Sequence, residues 1–137
     1  MRTPPAPVEG ILLSELVPVR DELAVLVGRV VEEVRVPEPA TLLLKFGGWG
    51  WLLLTHRPVA RVERCARPAP NPKRPYSFQG LLRARLRGAV TDVRGAIRDR
   101  TLEIAFEGGI VLARLHPGGG IWWVEDGRAV AGIEGPA

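Results

Sequence analysis

A chain of 137 residues predicts one domain, and its single cysteine excludes both a disulfide framework and a multi-cysteine zinc site. No apolar run approaches the roughly 18 to 20 residues of a membrane-spanning helix. The 19 Lys or Arg residues and 15 Asp or Glu residues give a formal net charge of +4. The first residues lack the apolar core of a signal peptide, so we expect a cytoplasmic protein.

The N-terminal part predicts a tail followed by helix. Residues 1–8 are expected to form an extended tail, and residues 9–137 a single domain. Apolar residues at helical spacing predict a first helical region from Glu9 to Val27, split at Pro18 because proline lacks an amide hydrogen. Gly28 is expected to end this region.

Alternating apolar and charged residues then predict strands. Their expected ranges are Arg29 to Val36, Thr41 to Phe46, Trp49 to Thr55 and Val59 to Cys65. We expect turns at Pro37–Pro39 and at Gly47–Gly48. On its alternating strand, Cys65 is expected to be a small core residue rather than a nucleophile.

A proline-rich loop over residues 67–75 leads to a second helical region, Tyr76 to Arg87. An apolar stripe on this helix is formed by Phe78, Leu81, Leu82 and Leu86. Because Arg83 and Arg87 are four residues apart, they share another face of the helix. Gly88 is expected to end it.

Short strands with frequent turns close the chain. Their expected ranges are 90–97, 101–106, 110–115, 121–125 and 128–133, and Gly108-Gly109 and Asp126-Gly127 are typical two-residue hairpin turns. The whole pattern predicts an α+β fold, in which two helical segments flank an antiparallel β-sandwich or barrel-like core.

Positive charge is concentrated between Arg57 and Arg100, which contain 12 Lys or Arg residues and three acids. Such a segment is suited to a phosphate backbone, since each cation displaces condensed counterions; the alternative is an ordinary solvated face. The candidate nucleic-acid-binding residues are Arg57, Arg61, Lys73, Arg74, Arg83, Arg87, Arg98, Asp99 and Arg100.

Catalytic chemistry has little support in the sequence. Neither His56 nor His116 has metal-ligand spacing with Cys65 or a carboxylate, so we expect structural or surface roles for both. A strand rather than a helix follows Gly118–Gly120, which excludes a phosphate loop. We therefore expect no enzymatic activity, no cofactor and no metal.

Two adjacent tryptophans, Trp122 and Trp123, should face opposite sides of a strand. One reading is an exposed ring that stacks on a base or anchors a partner. The other reading places one ring in the core and leaves the second partly covered.

Three stretches resemble the N-terminal domain of the NFACT family, the ribosome quality-control proteins often named fibronectin-binding proteins in bacteria. Leu52 to Arg61 is similar to the family's run of leucines, a small hydroxyl residue, a proline and Ala-Arg. Asn71 to Gly88 contains Phe78-Gln79-Gly80-Leu81-Leu82-Arg83, which resembles the family's Phe-x-x-Leu-Leu-Arg helix. Asp99-Arg100 before a strand resembles its Asp-Arg pair.

This resemblance, which extends over about residues 9 to 133, implies a fold related to the N-terminal domain of formamidopyrimidine-DNA glycosylases. It also implies binding of tRNA on a stalled large ribosomal subunit, with Asp99 and Arg100 as the tRNA-linked residues. The glycosylase's catalytic Pro-Glu start is absent, because residues 2 and 3 are Arg and Thr. The family's helix-hairpin-helix, coiled-coil and RNA-binding regions are also absent from this sequence. The resemblance therefore leaves open a truncated, a diverged or a separately encoded module, and in the last case a partner chain is expected to supply those regions.

Three hypotheses remain open. The first is a non-enzymatic RNA-binding module that binds tRNA, rRNA or the ribosome and does not bind membranes. The second is a protein-interaction domain that docks a partner through the sandwich and an exposed Trp. The third is a glycosylase-like DNA binder without catalysis.

Overall fold

The computed structural model describes residues 22–96, 100–116 and 118–134. They form two antiparallel sheets in which each strand pairs with the next in sequence. The first sheet contains β1 (Val31–Glu38), β2 (Thr41–Phe46), β3 (Gly50–Thr55) and β4 (Arg61–Cys65). The second contains β5 (Val90–Ala96), β6 (Thr101–Phe106), β7 (Ile110–Arg114), β8 (Gly120–Glu125) and β9 (Arg128–Glu134).

Helical structure is a minor part of the described fold. Helix α1 (Ser77–Arg85) connects the two sheets, and a short 3₁₀ helix (Ala24–Leu26) precedes β1. Most of the first predicted helical region, residues 9–21, lies outside the described residues. The antiparallel strands of the predicted α+β fold are confirmed, but the described residues are mostly β, and their strands form two separate sheets and no closed barrel.

One apolar core lies between the sheets. In the first sheet Leu42 is opposite Leu54, and Leu44 is opposite Leu52, so these four buried side chains share one face. The matching face of the second sheet carries the buried cross-strand row Ile104, Val111 and Trp123. All these residues belong to a single contiguous cluster, so the two sheets share one core.

The outer face of the first sheet is also covered. Leu43 and Trp51 are only 1% and 8% exposed, although they alternate with the core residues of their strands. The guanidinium of Arg35 lies 4.6 Å from the Trp51 ring centroid, and its Nη1 donates a hydrogen bond to the Ala69 carbonyl at 3.3 Å. The loop between β4 and α1 therefore reaches this face.

Turn chemistry accounts for most strand ends. Asp126 and Gly127 have φ values of 51° and 76°, which a type I′ hairpin turn requires at both central positions. The turn predicted at Pro37–Pro39 begins only at Pro39, because β1 continues to Glu38. A register shift between Arg35 and Glu38 accommodates the proline, and the chain turns after Glu38 instead.

Two further expectations for the first sheet need correction. Trp49 lies in the β2–β3 turn rather than in a strand, because its N–H donates to the Phe46 carbonyl at 3.1 Å. Cys65 is half-buried rather than in the core, since β4 is an edge strand of the first sheet.

Candidate nucleic-acid interface

The segment that joins the two sheets, residues 64–91, carries seven cations and no acid. We refer to it as the basic connection. Its cations are Arg64, Arg67, Lys73, Arg74, Arg83, Arg85 and Arg87. Within it, α1 packs against β1 and β9 and so contacts both sheets.

The first contact of α1 is with the outer edge of β1. The buried side-chain oxygen of Gln79 accepts a hydrogen bond from the Val36 N–H at 2.9 Å. Four residues along the helix, Arg83 Nη2 donates to the Val34 carbonyl at 3.1 Å. Phe78 and Leu82 on the same helix are buried in the core. These contacts fix the helix against an edge strand whose backbone groups lack a neighbouring strand on that side.

The second contact of α1 is with the second sheet. Arg85 Nη1 lies 2.7 Å from Glu125 Oε1, at the end of β8. The other oxygen of Glu125 accepts a hydrogen bond from the indole N–H of the buried Trp123, also at 2.7 Å. One carboxylate therefore joins the helix to the core, and the charge of Arg85 is matched.

Four cations of the basic connection have no acidic partner among the described residues: Arg67, Lys73, Arg74 and Arg87. All four side chains are exposed. Arg64 differs from them, because its guanidinium lies 4.6 Å from the Trp49 ring centroid and its Nε donates to the Trp49 carbonyl at 3.1 Å. The unmatched charges thus lie on the loop before α1 and just after the helix.

Two predicted binding residues belong to the first sheet: Arg61 begins β4, and Arg57 lies in the connection before it. Arg61 forms an ion pair with Glu63, and the hydrogen bond to that carboxylate is the main reason that the pKa of the Arg61 guanidinium is raised. Arg57 lies in the β3–β4 connection and lines a small pocket together with Glu38. Of the predicted residues, Lys73, Arg74 and Arg87 are thus exposed and unmatched, whereas Arg61 and Arg83 already have partners.

Only one residue of the predicted Asp99-Arg100 pair, Arg100, is among the described residues. Arg98 and Asp99 are not among the described residues. Arg100 is half-buried before β6, and its φ of 52° is in the left-handed region. Its carbonyl accepts a hydrogen bond from the Leu115 N–H at 2.9 Å, which fixes the main chain just before β6 against the residue that follows β7.

The adjacent tryptophans face opposite sides of β8, as the alternation predicts. Trp123 is fully buried and Trp122 is half-buried on the outer face. The Trp122 ring lies against Gly120 and Gly132, because an added Cβ at either glycine would approach it to 2.8 or 2.4 Å. The Arg114 guanidinium lies 5.8 Å from the ring centroid.

The described residues contain no group of His, Cys, Asp and Glu side chains arranged to hold a metal ion. His56 is fully buried and His116 is half-buried. None of the helices in the described ranges has the length and apolar character needed to cross a membrane.

Two solved structures share this architecture. The N-terminal domain of the fibronectin-binding protein PavA from Streptococcus pneumoniae matches with a TM-score of 0.74 and 22% identity over 91% of this chain. The N-terminal part of the fibronectin/fibrinogen-binding protein FBPS from Streptococcus suis matches with a TM-score of 0.76 and 21% identity over 84% of this chain. This chain has the fold of those N-terminal domains.

The shared fold covers only part of those structures. The chain spans 54% of the PavA chain and 50% of the FBPS chain, which is about half of each. No protein-family model matches the sequence, and a search of curated proteins also finds no match. At 21–22% identity the likeness establishes the fold alone.

Proposed function

We propose that this chain is a non-catalytic RNA-binding module that contacts the phosphate backbone through the basic connection. The observation that carries the proposal is a set of four exposed cations that have no acidic partner within the described part of the chain: Arg67, Lys73, Arg74 and Arg87. The resemblance to the NFACT N-terminal domain supports tRNA or the large ribosomal subunit as the target. A partner chain that supplies the remaining NFACT regions belongs to the same proposal.

The number of phosphates contacted sets how steeply RNA affinity should fall with salt. Cations that already contact a carboxylate or carbonyl gain less from a phosphate than unmatched ones, because they lose their present partner. If about four to six phosphates are contacted, log K should fall with log salt with a slope of roughly −3 to −5. Arg57 and the four unmatched cations suffice for that number of contacts.

Filter binding with a tRNA over a range of salt concentrations tests this proposal. Replacing Lys73 and Arg74 together by Ala should weaken binding and reduce the slope by about 1 to 2, since two phosphate contacts are lost. Arg128→Ala is the matched control, because Arg128 is exposed on β9 outside the basic connection. A slope near zero for the unmodified protein contradicts RNA binding, and equal affinity for duplex DNA favours the DNA-binding alternative.

A second candidate is a protein-binding module. The PavA and FBPS structures compared above belong to proteins named for binding fibronectin, and the second also for binding fibrinogen. Surface plasmon resonance on immobilised fibronectin tests this alternative. Saturable binding that survives replacement of Lys73 and Arg74, together with no tRNA binding, would favour it.

A further inference from the structure

Arg64 is held over the ring of Trp49, beside the turn that joins β2 to β3. Its guanidinium lies 4.6 Å from the Trp49 ring centroid. Its Nε donates to the Trp49 carbonyl at 3.1 Å, and its Nη2 donates to the same oxygen. The ring in turn packs against the core, edge-on to Phe46 at a centroid distance of 6.2 Å. The guanidinium therefore has a fixed position on the surface.

Two other arginines of the described residues lie over tryptophan rings, and both differ from Arg64. Arg35 lies over Trp51, which is only 8% exposed, on the sheet face that the loop between β4 and α1 reaches. Arg114 lies farther from its ring, at 5.8 Å from the Trp122 centroid. Arg64 is exposed, so it combines a short ring contact with access from solvent.

The donors and the planar face of the Arg64 guanidinium have different uses. Two of its three nitrogens already donate to the Trp49 carbonyl, so a phosphate would have to displace that contact. The plane of a guanidinium can instead stack on a nucleobase without using its donors. Because the ring and the carbonyl of Trp49 fix the side chain beforehand, a base that stacks on it costs little rotamer entropy.

This arginine is also continuous with the basic connection, of which it is the first residue. Arg67 lies three residues further, at most about 10 Å along the chain, and is one of the exposed cations without an acidic partner in the described ranges. A base on Arg64 and a phosphate on Arg67 therefore fit one strand of RNA. Unpaired bases of loops, bulges and single strands offer a face for such stacking, whereas bases inside a continuous duplex are covered by their neighbours.

We propose that Arg64 on Trp49 is a stacking platform for one unpaired RNA base. This inference rests on the proposed RNA binding and specifies the class of RNA, which is a loop, a bulge or a single strand rather than a continuous duplex. Phosphate contacts alone do not require an unpaired base.

Fluorescence anisotropy with an RNA hairpin that has an unpaired loop, and with a fully paired RNA duplex of the same length, tests the platform. Arg64→Lys keeps the positive charge and removes the planar guanidinium. Affinity for the hairpin should fall by roughly fivefold to tenfold, the lower end of the range for losing one base stack, while the affinity for the duplex and the salt slope stay constant. Unchanged affinity for both RNAs reduces Arg64 to its charge and overturns the platform, and an equal loss for both also overturns it.

Arg61→Lys is the matched control for this substitution. Arg61 is exposed on the same strand, but its guanidinium pairs with the Glu63 carboxylate. The same substitution there should leave the hairpin-to-duplex affinity ratio unchanged. A ratio that falls equally in both variants would show a general effect of replacing arginine on β4 and would overturn the platform.

A titration of the unmodified protein tests Arg64 without relying on RNA binding. The Arg64 Nε–H signal, assigned by its loss in Arg64→Lys, is followed by ¹H–¹⁵N NMR during addition of adenosine 5′-monophosphate or of ribose 5-phosphate, which lacks the base. The ring current of a stacked base should shift the proton signal upfield with the nucleotide alone. Equal shifts with both compounds, or no shift with either, overturn the platform.

The two proposals can thus fail separately. If neither RNA binds but adenosine 5′-monophosphate still shifts the Arg64 signal, RNA binding fails and the platform remains a nucleobase site. If the hairpin binds with the expected salt slope and Arg64→Lys leaves its affinity unchanged, the platform fails and RNA binding stands. If Arg64→Lys weakens binding to immobilised fibronectin but not to the hairpin, the surface serves a protein partner and base stacking is overturned.

Discussion

Gln79 and Val36 form a hydrogen bond at 2.9 Å between a helix side chain and the main chain of an edge strand. Edge strands expose N–H and carbonyl groups that pair readily with other chains. Here the Gln79 oxygen accepts the Val36 N–H, and Arg83 donates to the Val34 carbonyl. The helix thus takes the place of a further strand, and it holds the basic connection along the same edge.

Gln79→Ala should destabilise the protein by about 1 to 3 kcal/mol. The substitution removes the acceptor and leaves the buried Val36 N–H without a partner. Urea unfolding followed by circular dichroism measures the loss. The neighbouring Gly80 is the control, because it is exposed and an added Cβ would meet no atom within 4 Å. Gly80→Ala should raise stability by about 0.5 to 1 kcal/mol. If Gln79→Ala causes no loss of stability, the Gln79 contact contributes nothing.

Leu82→Ala should destabilise by about 2 to 5 kcal/mol, since Leu82 is fully buried in the core cluster. From the sequence, Arg83→Ala is expected to be nearly neutral. The contact with the Val34 carbonyl changes that expectation to a small loss of about 0.5 to 1.5 kcal/mol. Chemical denaturation of both variants compares these values, and similar losses would show that Leu82 does not carry the core contact of this helix.

Alternation in the sequence predicts the strands well, because burial of one face imposes a period of two. β2 and β6 have the predicted bounds, and the Asp126-Gly127 turn has the predicted conformation. The turn predicted at Pro37–Pro39 starts two residues late, because a register shift in β1 absorbs Pro37, a residue type that usually breaks a strand.

Charge pairing is the part of the site that the sequence cannot predict. Arg85 and Glu125 are 40 residues apart, and Arg83 and Val34 are 49 apart. Only the packing of α1 against both sheets brings them together. The contact of Gln79 does leave a signal in the sequence. Gln79 is one of the chain's two side-chain amides, and its position beside the apolar stripe of the helix indicates a buried acceptor.

Gly132→Ala should destabilise the protein by about 1 to 3 kcal/mol, as overpacking does. An added Cβ would lie 2.4 Å from Cδ1 of Trp122 and 2.6 Å from the Ile121 carbonyl oxygen, so both the ring and the neighbouring main chain must shift. Thermal unfolding measures the loss. Combining the change with Trp122→Leu should give a loss smaller than the sum of the two single losses, because the pair is in contact. Simple additivity would exclude the ring as the obstacle.

Arg100→Gly should separate binding from stability. The φ of 52° costs a non-glycine residue about 1 to 2 kcal/mol, whereas glycine adopts it freely but gains entropy in the unfolded chain. We therefore expect the free energy of unfolding to stay constant or to rise by up to about 1 kcal/mol. If Arg100 contacts tRNA, affinity should fall in the same variant, as measured by filter binding. Unchanged affinity would assign Arg100 a role in the turn alone.

Asp99→Ala gives the sharpest test of the Asp99-Arg100 pair, because two physical readings predict opposite signs. If Asp99 is only a negative charge at the end of the basic segment, its removal lowers repulsion and tightens RNA binding. If Asp99 orients Arg100 or makes its own hydrogen bond to tRNA, its removal weakens binding while the melting temperature barely changes. We expect weaker binding. Asp92→Ala is the matched control, since Asp92 pairs with Arg94 at 3.1 Å on β5 and its loss should tighten binding slightly. Tighter binding by both variants would reduce Asp99 to its charge and leave the remaining cations as the whole of the interface.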